Sequence, residues 1–231
     1  MGQLMAEALD QGYSALAYSG ELPDYHFRRW IDLQLAGPDH IAESRNMFDE
    51  PVYSLAPGVS ERIGLWYQDR AYLYDNNAVD GEELESLTET IEHTIRRYGV
   101  KFICIDNLMT AMDVETKDDL YRAQSAFVKK LKQIAVRHDV VILLVAHPKK
   151  TREQLENDDV SGSSDITNRA DVVLTYSSNA DKHEDNPEDC DSKLSVLKNR
   201  LTGRITRKGR KSSCTLVGIK TDYEQKGFET V

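Results

Sequence analysis

Apolar positions along this chain follow two rhythms that alternate from one end to the other. Leu4, Met5, Ala8 and Leu9 repeat at the spacing of one helical face, so residues 1–11 read as the body of a helix with no capping residue ahead of it. Residues 13–19 read as a short strand ending in Gly20-Glu21, and 25–35 as a helix that Gly37-Pro38 stops. Strands are expected near 52–55 and at 71–74, with a helix near 59–69 between them. Residues 82–98 place Leu84, Leu87, Ile91, Ile95 and Tyr98 on one helical face, and Gly99 closes it. Thr116 and Asp119 resemble a capping box for a helix through Arg137, whose apolar face includes Leu120, Phe127, Leu131 and Ile134. The stretch 100–105 is apolar in sequence from Phe102 to Ile105, and 140–146 is an uninterrupted apolar run; neither alternates, which implies burial on both sheet faces. Strands at 171–176, 194–198 and 215–219 complete the reading.

Helices alternating with strands of this kind predict an α/β fold with a mostly parallel sheet flanked by helices. In such sheets ligands bind beyond the carboxyl ends of the strands. Four polar features fall there: Glu21, Asp106, His147 and the pair Lys198/Arg200. Composition changes this picture only modestly. Lys+Arg 29 against Asp+Glu 39 gives a net charge of −10, and 40% of residues are hydrophobic, which excludes a disordered tail and argues against a protein coated in basic charge for nucleic acid or membrane. The charge is segregated, however. Residues 179–191 hold six acidic residues and one lysine and read as an acidic surface loop. Residues 192–221 hold nine Lys or Arg and no acid, with 200–213 as a basic loop. The three cysteines, Cys104, Cys190 and Cys214, are scattered, which suits neither a disulfide framework nor a zinc cluster and favours a reducing compartment. No apolar run approaches the roughly 20 residues that span a bilayer, and the N-terminus lacks the flanks of a signal peptide, so no membrane partner is expected.

Each polar feature has a chemical reading and a plainer one. Asp106 closes the apolar run Phe102-Ile-Cys-Ile105 as a Walker B aspartate does, where a carboxylate holds a nucleotide's Mg²⁺ directly or through water. It can equally cap a turn at Asn107. His147 can donate to a terminal phosphate, or simply sit at a strand end on the surface. Glu21 can polarise an attacking water, or favour the dipole of the helix that follows. Arg200 can stabilise charge on a phosphoryl group, or belong to a solvated charge run.

Five passages, in order along nearly the whole chain, resemble one family. They are Tyr18-Ser-Gly-Glu-Leu-Pro23, Phe102-Ile-Cys-Ile-Asp-Asn107, Leu144-Val-Ala-His-Pro-Lys149, the stretch 160–174 and Val196-Leu-Lys-Asn-Arg-Leu-Thr-Gly203. Together they resemble the RecA-like motor domain of hexameric replicative DNA helicases of the DnaB, phage primase-helicase and Twinkle types. The resemblance implies a single RecA-like P-loop NTPase domain over residues 1–231. Glu21 matches the family's catalytic glutamate, Asp106 its Walker B aspartate on Mg²⁺, with Asn107 beside it as a second expected nucleotide-binding residue, and His147 its γ-phosphate sensor. Arg200 matches the arginine finger that reaches the neighbouring subunit's nucleotide, with Lys198 beside it. Lys149, Lys150, Ser161, Gly162 and Ser163 match the loops that hold single-stranded DNA in the central channel. Confining the basic groups to a pore reconciles DNA binding with an acidic chain.

The chain departs from the family in one respect. It has no G-x-x-x-x-G-K-[ST] phosphate loop, and its first residues look like the helix that follows one. The expectation is therefore a motor domain that lacks the first strand and P-loop, truncated before or within that loop and inactive by itself. The parent protein would hydrolyse ATP, or another NTP, with Mg²⁺ at the interfaces of a homo-oligomeric, hexameric ring on single-stranded DNA. A primase or a helicase loader would be a further partner, and the setting the cytoplasm of a bacterial or phage-infected cell rather than an organellar matrix. The alternative is a degenerate, non-hydrolysing subunit that oligomerises or binds single-stranded DNA.

Overall fold

The computed structural model describes residues 1–75, 86–112, 117–147, 164–178, 192–203 and 205. Contacts divide these into two compact units. The first holds the described residues up to 112 together with 130–145, and the second holds 117–129, 146–147 and the described residues beyond.

The first unit is built on uninterrupted apolar strands. β1 (Ala15–Ser19) is buried at all five positions. It lies between β4 (Ala71–Leu73) and β5 (Phe102–Asp106), and β5 in turn pairs with β6 (Val141–Leu144). All three pairings are parallel. One face of the sheet, carrying Ala15, Ala17 and Cys104, packs on α1 (Gly2–Asp10), α2 (Asp24–Ala36) and α3 (Val59–Trp66) through Met5, Leu9, Phe27, Ile31, Leu35 and Ile63. The pleat turns Leu16, Ile103 and Ile105 to the opposite face, where they too are buried. α4 (Leu87–Tyr98) buries Leu87, Ile91 and Ile95, and the end of α5 (Lys117–His138) buries Leu131 and Ile134. This is the α/β fold that the alternating pattern predicts, a parallel sheet flanked by helices as in a RecA-like P-loop NTPase core. Among the described residues no helix is long and apolar enough to cross a membrane.

Burial of one carboxylate ties α2 to α3. Asp32 is 2% exposed and accepts hydrogen bonds from the Ser60 hydroxyl (3.1 Å) and the Tyr67 phenol (2.9 Å), with Arg28 Nε at 3.6 Å. Burial nevertheless dominates, and it raises the Asp32 carboxyl above the ordinary range and pushes the Tyr67 phenol up to about 12. A carboxyl whose native pKa exceeds its unfolded one holds more protons folded than unfolded, so its contribution falls as pH rises through that interval. Asp32→Asn is therefore expected to flatten the decline in stability above pH 4, measured as denaturation midpoint against pH; an unchanged slope would show that Asp32 titrates normally.

The structure differs from the sequence reading at four points. The helix expected from residue 82 starts at Leu87, because Ser86 and Glu89 form a capping box in which Glu89 Oε2 accepts from the Ser86 N–H (2.9 Å). Residues 82–85 lie outside the described ones. Tyr98, expected on the buried face, is 43% exposed and instead stacks on Tyr72 with ring centroids 4.7 Å apart. An unexpected strand, β2 (Ile41–Arg45), pairs antiparallel with β3 (Pro51–Leu55), and the connecting loop presents Met47 and Phe48 to solvent. β6 ends the described sheet and leaves Val141 59% exposed, so its apolar run is not buried on both faces.

In the second unit, β7 (Val172–Ser178) and β8 (Ser192–Asn199) pair antiparallel, with an irregularity between Val173 and Leu174. Val173 is buried while Val172, Leu174 and Tyr176 are exposed, the one-sided burial that antiparallel ribbons tolerate. α6 (Ser164–Arg169) precedes them. The expected strand at 215–219 lies outside the described residues, as do Thr116, the 179–191 loop and most of 200–213.

Candidate active site

Strand register places the first pair of candidates together. Parallel pairing sets Ser19 opposite Asp106, and the Gly20 N–H donates to the Asp106 carbonyl at 2.7 Å. The chain leaves β1 through Gly20 and Glu21 just where β5 ends in Asp106 and Asn107. The Asp106–Asn107 peptide is cis. Asn107 Nδ2 donates to the Glu21 carboxylate, which joins the two strand ends by a side-chain bond.

The loop beyond β5 is a compact turn. Asn107 Oδ1 accepts from the Met109 N–H (2.9 Å) and the Thr110 N–H (3.2 Å), and Thr110 Oγ1 accepts from the Asn107 N–H (3.0 Å). Tyr18 reaches across from β1 and donates its hydroxyl to the Thr110 carbonyl at 2.7 Å. Burial is the main reason that phenol's pKa is raised. Gly20 lies directly against the turn, and a Cβ there would overlap the Thr110 side chain. Gly20→Ala is thus expected to destabilise the protein by about 1–3 kcal/mol by overpacking. Equilibrium urea denaturation measures it, and an unchanged midpoint would mean that the turn yields freely.

The plainer readings of these two carboxylates are now sharper. The side chain whose oxygen accepts from the Met109 and Thr110 N–H groups of the turn is that of Asn107. The acidic residue in the first turn of α2 is Asp24, and Glu21 stands before that helix, bonded to Asn107. Sequence reasoning missed Gly20, Tyr18 and Thr110. The Asn107-x-x-Thr110 spacing is an Asx-type signal that points to the turn, but nothing local pairs it with β1.

The other candidates belong to the second unit. His147 is exposed, three residues beyond the end of β6. Lys198 Nζ donates to the carbonyls of Thr167 (2.6 Å) and Asn168 (3.0 Å), and Arg200 Nη2 donates to the Asn168 carbonyl (2.7 Å). Both cations therefore hold the C-terminal carbonyls of α6, where positive charge is favoured. Desolvation, followed by the Arg200 charge, lowers the Lys198 pKa. Arg200 is exposed on a turn that Asn199 fixes, its Oδ1 accepting from the Leu201 and Thr202 N–H groups at 3.1 Å each. Lys149, Lys150, Ser161, Gly162 and Ser163 lie outside the described residues.

The first unit thus offers a glutamate and an aspartate at the carboxyl edge of a parallel sheet, aligned by register and a buried amide. Among the described residues no group of three or more His, Cys, Asp or Glu could hold a metal.

Residues 10–153 match the family described as AAA domain. The chain belongs to that family. The AAA match spans β1 to β6 and with them Glu21, Asp106, Asn107 and His147, but not Lys198 or Arg200. The fold is similar to that of a DnaB-like replicative helicase, whose structure was solved for its interactions with primase (TM-score 0.62, 16% identity, covering 89% of this chain and 51% of that one). It is similar also to a second solved structure, that of an ATPase domain (TM-score 0.63, 16% identity, covering 89% of this chain and 75% of that one). The chain therefore spans about half the length of the first of these. At such identity the likeness is one of fold. No curated protein matches the sequence.

Proposed function

We propose that this AAA domain is the motor domain of an ATP-driven replicative DNA helicase, a member of a hexameric ring that translocates on single-stranded DNA. The observation that carries the reading is the pairing of Glu21 with Asn107 beside Asp106, at the carboxyl edge of β1 and β5. Bound Mg²⁺–ATP supplies a phosphoryl group open to attack by water. Glu21 orients that water and takes its proton, and Asp106 would hold the Mg²⁺ that neutralises phosphate charge. His147 donates a hydrogen bond toward the terminal phosphate. Arg200, with Lys198 beside it, acts across a subunit boundary on the neighbour's nucleotide, and Lys149, Lys150 and the Ser161-Gly162-Ser163 segment hold the DNA strand's phosphates. The motor domain comprises residues 1–231, with a primase or loader as a further partner.

The second reading, a non-hydrolysing subunit that oligomerises or binds single-stranded DNA, is favoured by one observation. Lys198 and Arg200 are engaged with α6 carbonyls. ATP hydrolysis and fluorescent-nucleotide binding, measured on this chain and on the chain extended by its upstream coding region, separate the two. The helicase reading expects the extended form alone to turn over ATP. Extended protein that binds single-stranded DNA without hydrolysis would support the other.

A further inference from the structure

We infer that Asn107 is a positioning residue that sets the aim of the Glu21 carboxylate, and that it does so through its side-chain amide rather than by touching nucleotide. The inference rests on the reading of Glu21 as the residue that orients water. Asn107 is 1% exposed, so its carboxamide cannot swing through solvent. Its two ends face different elements. Oδ1 is held by the Met109 and Thr110 N–H groups, which fixes the plane of the amide. With Oδ1 so held, Nδ2 is directed at Glu21, to which it donates. The turn that anchors Oδ1 is itself anchored to β1 by the Tyr18–Thr110 bond and by the close approach of Gly20. Glu21 is exposed and lies on a segment between a strand and a helix. A buried donor of fixed direction narrows the rotamers open to its carboxylate before any ligand arrives.

Aspartate at 107 separates this role from a purely structural one. Asn107→Asp keeps the acceptor that caps the turn, yet replaces the donor to Glu21 with an oxygen that repels it. In the upstream-extended protein, Asn107→Asp should lower kcat for ATP on the order of 10²-fold with KM unchanged. A buried carboxylate against Glu21 also lowers the denaturation midpoint, whereas the exchange protection of the Met109 and Thr110 amides relative to the rest of β5 should persist, because the acceptor that holds them is kept. Combined with Glu21→Gln it should cost no more than Glu21→Gln alone, since both act through one carboxylate. Full kcat in Asn107→Asp, or additive losses in the double variant, would overturn the inference. If the unsubstituted protein hydrolyses no ATP, the helicase reading fails separately, and the contact is decided on the chain of 231 residues by NMR. There, Glu21→Ala should shift the Asn107 side-chain amide signals while leaving the Met109 and Thr110 amides in place. Unmoved Asn107 signals would dismiss the positioning role.

Discussion

Replacing Arg200 by alanine is expected to lower ATP turnover in the upstream-extended protein on the order of 10³–10⁵-fold, with the affinity for ATP nearly intact. A guanidinium supplied by a neighbouring subunit meets charge that develops as the terminal phosphoryl group departs, so its loss registers in kcat and scarcely in ground-state binding. The structure sets a control for this claim. The Arg200 side chain also donates to the Asn168 carbonyl, so the alanine variant loses part of a helix cap as well, while the bond from its backbone N–H to the Asp171 carbonyl (2.8 Å) remains. Arg200→Lys keeps a donor for Asn168 but lacks the planar fork that matches a phosphoryl group. It should keep the denaturation midpoint of the unsubstituted protein and still lose most turnover. A lysine variant with full activity would reduce Arg200 to a cap for α6. Collapse of ATP affinity in the alanine variant would place the residue in ground-state binding.

Glu21→Gln should lower kcat by about 10²–10⁴-fold in the same extended protein, the range that a positioned general base supplies. The substitution preserves shape, and the amide oxygen of glutamine still accepts from Asn107 Nδ2, so the strand-end geometry survives while the proton acceptor is lost. ATP affinity and single-strand binding are expected to stay within a factor of about two, read by fluorescent-nucleotide titration and anisotropy. Turnover that persists in Glu21→Gln would leave Glu21 without a chemical role.

How much of this could be seen in the sequence depends on how local each interaction is. β1 and β5 were legible because burial on both faces removes the alternation that would otherwise blur a short strand. β2 was not, because Ile41-Ala-Glu-Ser-Arg45 lies on a two-stranded ribbon whose outer positions are exposed and need no apolar side chains. Its pairing also depends on the Asn46 side chain, which accepts from the Phe48 (2.9 Å) and Glu50 (3.0 Å) N–H groups and so folds the connecting loop. Leu84 drew the start of α4 too early, although the Ser86-x-x-Glu89 box that begins the helix was present in the sequence. Glu21 and Asp106 were visible as strand-end acids, yet only register shows that Ser19 stands opposite Asp106. The Asn107–Glu21 bond spans 86 positions of the chain, and no periodicity encodes a contact of that range. Lys198 and Arg200 are legible as charges, but their hold on Thr167 and Asn168 depends on how β8 passes α6.

The central claim is that Glu21 and Asp106 serve nucleotide hydrolysis coupled to single-stranded DNA. Its most direct measurement is steady-state phosphate release by the upstream-extended protein, with Mg²⁺–ATP, in the presence and absence of single-stranded and double-stranded DNA. The account predicts hydrolysis that single-stranded DNA stimulates, that double-stranded DNA does not, and that Glu21→Gln abolishes. Extended protein that binds Mg²⁺–ATP and single-stranded DNA but releases no phosphate would contradict it.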